Sequence, residues 1–173
     1  NAFADPTYVD SFRRSSISRI VFSADQTDVM LAPAKSVSYY EKRHSIRRFD
    51  NTEMVAFECL CELLGVLRQK NERYLYPSAG GLYPIDCYIY VKKNRVENVE
   101  EGIYYYNPKT NSLHKINGKQ IDISAHFFTN RDIFASSAFS LFLVYNSSAS
   151  MPKYGGMAYY YAIIEAGIIS ELL

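Results

Sequence analysis

The chain has no tryptophan, no long apolar run and almost no net charge. No stretch reaches the eighteen or so apolar residues that a membrane-crossing helix needs, so no membrane span is expected. A net charge of +1 gives no reason to expect nucleic acid or an anionic membrane as partner. Residues 1–5 lack the basic-then-apolar pattern of a secretory signal, and the missing initiator Met suits a chain excised from something longer. Neither G-x-G-x-x-G nor G-K-[ST] occurs, which argues against dinucleotide-fingerprint and Walker-type sites. A nucleophile elbow is missing too, so Ser-His-Asp catalysis has no support. Cysteine is scarce and odd in number: Cys59, Cys61 and Cys87. Cys59 and Cys61 sit two apart on a predicted helix and face different directions, a poor geometry for a mutual disulfide. No C-x-x-C or other metal spacing occurs, so no metal site is expected. All three are expected to be buried thiols in a reducing, cytoplasmic compartment.

What the chain does contain is enough for one sizeable core: 173 residues, 48% hydrophobic and 21% charged. The sixteen tyrosines lie mostly in strand-like or helix-like runs, where they are expected to pack as large half-polar residues. Short helices are expected over Tyr8–Ile20 and Val37–Arg43. Asn51-Thr52 reads as the cap of a longer helix over Glu53–Gln69, whose Val55, Leu60, Leu63, Leu64 and Leu67 recur at helical spacing. Strands are expected at Ile85–Lys92, Glu101–Tyr106 and Ser112–Ile116, the last two joined as a hairpin through Asn107-Pro108-Lys109-Thr110-Asn111. A helical turn is expected over Ile121–Phe128. The apolar run Phe139–Tyr145 reads as a central strand. Gly156–Leu173 reads as a helix that stops in mid-pattern, without a Gly, Asn or Pro cap.

Two segments carry chemistry. Pro77-Ser78-Ala79-Gly80-Gly81-Leu82-Tyr83-Pro84 is a small-residue loop running into an apolar strand, fenced by prolines. Its small side chains let backbone N–H groups approach a flat or anionic ligand, and its glycines permit positive φ. Upstream lies the basic cluster Arg43-His44-Ser45-Ile46-Arg47-Arg48-Phe49. Arginine forks and a hydroxyl suit a phosphate, and bare backbone suits an aromatic ring. Taken singly, each has a plainer reading: a basic helix end complementing the macrodipole, and a turn leading into a strand.

Together these residues resemble the FMN-binding nitroreductase superfamily. The full Pro-Ser-Ala-Gly-Gly-Leu-Tyr-Pro string is similar to the SagB-type thiazoline/oxazoline dehydrogenases, including oxidase domains of nonribosomal peptide synthetases. The resemblance covers residues 37–173, expected to form a domain incomplete at its C-terminus; residues 1–36 remain an unassigned N-terminal extension. It implies an α+β fold with a mixed, mainly antiparallel sheet flanked by helices, and a homodimer with FMN at the subunit interface. On the resemblance, Arg43, His44, Ser45 and Arg47 take the FMN phosphate and ribityl chain. Pro77, Ser78, Ala79, Gly80 and Gly81 take the ring edge, with the amides of Ala79–Gly81 near N5 and O4. Lys153-Tyr154 matches the pair implicated as catalytic base in the azoline oxidases, against the plainer reading of a solvated lysine beside a packing tyrosine. A free lysine, with pKa about 10.4, is mostly protonated at neutral pH, so such a base requires burial or a nearby cation. Glu165 matches the family's helix pattern but is equally compatible with a structural salt bridge. His114 and His126 read as surface or supporting residues.

The expected activity is FMN-dependent oxidation of a peptidyl or carrier-protein-bound thiazoline or oxazoline to the thiazole or oxazole. Dioxygen would reoxidise the flavin. Two alternatives stay open: an NAD(P)H-dependent nitroreductase or quinone reductase, and a non-catalytic docking domain on a relic flavin fold.

Overall fold

The computed structural model describes residues 5–17 and 41–173. The chain divides into two units, Asn1–His44 and Ser45–Leu173. In the first, α1 spans Pro6–Ile17. Asp5 starts it, its Oδ1 accepting the Thr7 N–H at 2.9 Å, which satisfies one of the donors a helix start leaves unpaired. The expected helix there thus ends at Ile17 among the described residues, and residues 18–20 lie outside them. Residues 37–40 of the helix expected over Val37–Arg43 also lie outside.

The second unit is built on a four-stranded antiparallel sheet. After α2 (Phe57–Gly65) come a two-stranded ribbon, β1 (Gln69–Lys70) and β2 (Arg73–Tyr74), and the loop into β3 (Ile85–Val91). Then follow β4 (Gly102–Asn107), β5 (Ser112–Asn117), α3 (Arg131–Ser136), β6 (Phe139–Tyr145), α4 (Ser147–Tyr154) and α5 (Met157–Leu172). The sheet order is β5-β4-β3-β6. Ile85, Cys87, Ile89 and Val91 alternate onto one face of β3, as period-two geometry requires. There they meet Leu60 and Leu64 of α2, Tyr104 and Tyr106 of β4, and Ala162 and Ile169 of α5. The opposite face, with Tyr88 beside Tyr105 and Tyr90 beside Phe134 of α3, is less deeply covered.

Four expectations change. Helix α2 starts at Phe57 rather than Glu53, because the backbone of Val55 pairs instead with the 95–97 segment. Its N–H bonds Arg95 O at 2.9 Å, and its carbonyl accepts the Glu97 N–H at 2.9 Å. Tertiary pairing therefore overrides the Asn51-Thr52 cap signal. Strand β6 is not central: among the described residues it pairs only with β3, and its apolar run leaves Val144 exposed. The turn expected over Ile121–Phe128 resolves into two short 3₁₀ turns, Ile123–Ala125 and Phe128–Asn130. Finally, Cys59 and Cys61 are exposed, since only Leu60 and Leu64 of α2 are buried; Cys87 alone is a core thiol, pushed up to about 11 by burial. Thiol titration of the folded protein is expected to give two fast-reacting cysteines and a third that reacts only after denaturation. Three fast thiols would contradict the packing of β3.

Candidate functional site

The loop ahead of β3 is held in an uncommon conformation. Gly80 and Gly81 have φ of 63° and 66°. The Gly81 N–H bonds Ser78 O at 3.0 Å, closing a tight turn. Tyr83 follows at φ 47°, costly for a bulky residue. Three contacts stabilise it there. Its ring stacks on Tyr74 at 4.0 Å, with Tyr76 edge-on at 5.6 Å, and its N–H donates to Ser78 Oγ at 2.9 Å. The Ser78 hydroxyl is thereby engaged inside the loop, so the backbone amides of Ala79 and Gly80 are the loop's better candidates for facing a ligand. The Gly81 amide is already tied to Ser78 O.

Lys153 and Tyr154 end α4, and the fold brings them to this loop across seventy-odd residues of sequence. A side chain on Gly80 would run into Lys153 Nζ and Tyr154 Oη. The Lys153 ammonium lies 5.2 Å from the Tyr154 ring centroid. Tyr154 is half-buried and packs edge-on against Tyr161 of α5 at 5.0 Å, which fixes its ring, whereas Lys153 is exposed. A Cβ at Gly81 would meet nothing within 4 Å. The loop therefore offers bare, exposed backbone on one side and a cation with a phenol on the other. That donor set fits the electron-rich edge of a flavin ring.

Glu165 belongs to α5. Ala158, Ala162, Glu165 and Ile169 form the buried stripe of α5, and Glu165 is only 2% exposed. No cation pairs with it; the one ion pair among the described residues joins Lys115 to Glu100 at 2.6 Å. The salt bridge expected as one option is absent there. Burial raises its pKa above the ordinary 4.5, and polar contacts from the Ser78 hydroxyl and the Ile85 N–H offset part of that rise. Because the fold favours the neutral acid, it binds this proton more tightly than the unfolded chain does. Glu165 thus costs no stability below pH about 4.5 and lowers stability as pH rises above it. The gap in melting temperature between E165Q and wild type should widen from pH 4.5 upward; a constant gap would contradict a buried acid. The sequence held a signal for this residue: a carboxylate in the middle of an apolar helix, whose other one, Glu171, lies in the last turn.

The basic segment is divided between the two units. Arg43 and His44 fall in the first unit, where His44 Nδ1 lies 2.9 Å from Lys42 O. Ser45 and Arg47 fall in the second unit and are exposed. Two residues beyond Arg47, the Phe49 N–H donates to Ser136 Oγ at 3.3 Å, and Arg95 Nη2 donates to Asp50 O at 2.7 Å. These anchors sit where β6 begins and β3 ends, since Val91 pairs with Phe139. The loop sits at the opposite end of β3, where Ile85 pairs with Tyr145. About 20 Å of strand separates the Phe49 anchor from the loop. Pro77 to Gly81, Lys153 and Tyr154 are brought together; Ser45 and Arg47 are attached to the far end of the same strands.

Other features stand apart from this cluster. An apolar groove of about 580 Å³ lies between α2 and the β4–β5 hairpin, lined by Phe57, Leu60, Cys61, Tyr104 and Leu113 among others. His126 stacks on Phe134 at 4.1 Å, and His114 lies on β5 opposite Tyr105. Among the described residues no group of His, Cys, Asp or Glu could hold a metal ion, and no helix is long and apolar enough to cross a membrane.

Comparison with known proteins agrees with this architecture. In the Escherichia coli microcin synthetase McbBCD complex with truncated pro-MccB17 bound, one chain superposes with a TM-score of 0.71 at 18% identity, over 95% of this chain and 65% of that one. A structure assigned as a nitroreductase from Ralstonia eutropha gives 0.63 at 19% identity, over 85% and 66%. One from Anabaena variabilis gives 0.61 at 26% identity, over 76% and 28%. A Methanocaldococcus jannaschii protein that carries a nitroreductase assignment is 26% identical over 133 residues, 75% of this chain and 66% of that protein. The chain thus spans just under two thirds of the length of these first relatives, and much less of the Anabaena one. The Nitroreductase family pattern matches residues 40–173, most of the chain and all of its sheet, loop and Lys-Tyr pair, and the protein belongs to the nitroreductase family.

Proposed function

We propose that this nitroreductase-family oxidoreductase binds FMN and oxidises a peptidyl thiazoline or oxazoline to the thiazole or oxazole. The observation that carries this reading is the contact of Gly80 with Lys153 and Tyr154, which puts a bare-backbone shelf and a candidate proton acceptor in one place. Bound FMN would supply a hydride acceptor and hand its electrons to dioxygen. The chain's own residues do the rest. The amides of Ala79 and Gly80 face the ring edge, and Ser45 and Arg47 hold the phosphate, to which the resemblance also assigns Arg43 and His44. Lys153 is exposed in the single chain, so the burial that such a base requires has to come from bound ligand. So covered, its neutral amine takes the proton from the azoline Cα while the neighbouring ring carbon gives up hydride, a C=C bond forms and the ring becomes aromatic. Tyr154, steadied by Tyr161, polarises the substrate or relays that proton.

A second copy of the chain completes the site in this reading. The loop and the Phe49 anchor that follows the Ser45–Arg47 segment lie at opposite ends of β3, which favours a cofactor shared between two copies over one wrapped by a single chain. The outer face of α5 supports a homodimer: Tyr159, Tyr160 and Ile163 are more than half exposed there, beside Ile164 and Met157. Such a face is the kind that a two-fold interface covers. The microcin synthetase neighbour, a complex with a bound precursor, suits a peptide substrate and further partners. Three unpaired thiols suit a reducing, cytoplasmic setting.

The test is the visible spectrum of the purified protein, with mass spectrometry of what acid releases, followed by azoline substrates set against NAD(P)H. Released FMN and azoline oxidation under air support the reading. Fast flavin reduction by NAD(P)H with no azoline turnover would favour a nitroreductase or quinone reductase, and a protein that stays colourless after FMN addition would favour a docking domain. Arg47→Ala is expected to weaken FMN binding about tenfold or more, as for loss of a charge-assisted phosphate contact. Unchanged occupancy in the purified variant would remove Arg47 from the site.

A further inference from the structure

We propose that Arg95 and Ser136 are positioning residues that set where the Ser45–Arg47 segment stands; their bearing on the FMN phosphate rests on the reading above. Ser45, Ile46, Arg47 and Arg48 are exposed and lie in no helix or strand. Such a segment is placed by what holds the residues next to it, and the holds come immediately after it. The Phe49 N–H donates to Ser136 Oγ at 3.3 Å, and the Asp50 carbonyl accepts from Arg95 Nη2 at 2.7 Å. Asp50 Oδ1 in turn accepts the Thr52 N–H at 2.8 Å and the Thr52 hydroxyl at 2.6 Å, which fixes the bend that follows. Two residues of extended chain span about 7 Å, so the Phe49 bond confines the Arg47 backbone to that radius.

Two observations make these contacts more than the capping of a helix. The last carbonyls of α3 already have a cation: Lys92 Nζ donates to Phe134 O and, at 3.2 Å, to Ala135 O. Arg95 is a second cation at the same helix end. It reaches Ser136 O only at 3.5 Å, and its short bond goes outside the helix, to Asp50 O. Its Nε is buried with no hydrogen-bond partner among the described residues, so the guanidinium sits there at a desolvation cost. The Asp50 contact is the use made of that charge. Ser136 is arranged to the same end. Its hydroxyl proton turns back into α3, where Asp132 O and Ile133 O each lie 3.2 Å away, and the oxygen's lone pairs are left to accept the Phe49 N–H. Further along, Val55 pairs with the backbone of Arg95 and Glu97, so the chain from Phe49 to Val55 is tied at both ends. A phosphate-binding segment held in advance loses less freedom when its ligand arrives, and its affinity gains accordingly. Arg95 and Ser136 therefore act on the phosphate through Asp50 and Phe49, without touching it.

The experiment uses the full chain with R95A, S136A and, as the conservative variant, S136T, which keeps a hydroxyl acceptor at the end of α3. It is read in two ways. The first is fluorescence titration with FMN and with riboflavin, the same ring without the phosphate. R95A is expected to weaken FMN binding about tenfold and S136A about fivefold, while riboflavin affinity changes by less than about twofold. S136T should stay within about twofold of wild type for both ligands. The second readout needs no cofactor. Hydrogen exchange at the Phe49 amide should speed about fivefold in R95A and S136A but not in S136T, with the Val55 and Glu97 amides, held by other bonds, unchanged. Wild-type FMN affinity in R95A or S136A, equal losses for FMN and riboflavin, or unchanged exchange at Phe49 would each overturn the proposal. Should R95A fail to fold, S136A and S136T decide by the same criteria. A wild-type chain that binds no FMN defeats the flavin reading, while the exchange data still decide whether Arg95 and Ser136 set the segment.

Discussion

Replacing Lys153 by alanine is expected to leave FMN bound and to lower azoline oxidation by roughly two to four orders of magnitude, the usual contribution of a positioned acid–base group. Occupancy should survive because the Lys153 side chain is exposed and rests against the loop rather than supporting the core. Turnover should collapse because the Lys153 amine rests against Gly80, beside the shelf assigned to the ring edge. The measurement pairs the flavin absorbance of the purified variant with product formation from a synthetic azoline peptide. Full turnover in the variant would remove Lys153 as the base. Loss of both flavin and turnover would make it a binding residue instead.

The second large effect is expected at Gly80. An alanine there meets two separate penalties. Its φ of 63° costs an L-residue about 1 kcal/mol. Its Cβ would also overlap Lys153 Nζ and Tyr154 Oη. Both of those atoms are the far ends of flexible side chains, so the overlap is relieved by swinging them aside rather than by breaking the fold. Stability should fall by only about 1 kcal/mol, a few degrees in melting temperature. Activity should fall roughly a hundredfold, because a displacement of about 1 Å at the reacting groups is enough for that. Gly81→Ala carries the same φ penalty, but nothing lies within 4 Å of its Cβ. The two variants should therefore match in stability while Gly80→Ala loses more activity. Equal activity in both would mean that Lys153 and Tyr154 do not act where they rest.

The separation of the basic segment from the loop bears on how such a variant should be assayed. If two copies share each site, Lys153→Ala and Arg47→Ala chains mixed and reassembled should regain part of the activity that neither has alone, since one of the mixed sites is intact. That result depends on the direction of β3 and β6, which puts the Phe49 anchor and the loop at opposite ends. No reading of either motif by itself supplies it.

The sequence by itself determined much of the architecture. The β4–β5 hairpin follows from its turn residues: Asn107 Oδ1 accepts the Lys109 N–H at 3.0 Å, and Asn111 adopts φ 51°, both local properties of those side chains. Strand β3 and helix α5 likewise follow from apolar patterning, and the Gly-rich loop from its composition. Tertiary structure decided the rest, because the deciding partners are remote in sequence. The start of α2 moved when Val55 found strand-like partners at Arg95 and Glu97. Strand β6 went to an edge because sheet order depends on which strands pair, and an apolar run does not encode that. Cys59 and Cys61 turned outward because a helix buries one stripe, and only packing against β3 and β4 chose Leu60 and Leu64 as that stripe. The same holds for the candidate site. Its residue types are local and legible, but the meeting of Gly80 with Lys153 and Tyr154 exists only because α4 folds back onto the end of the sheet where β3 begins.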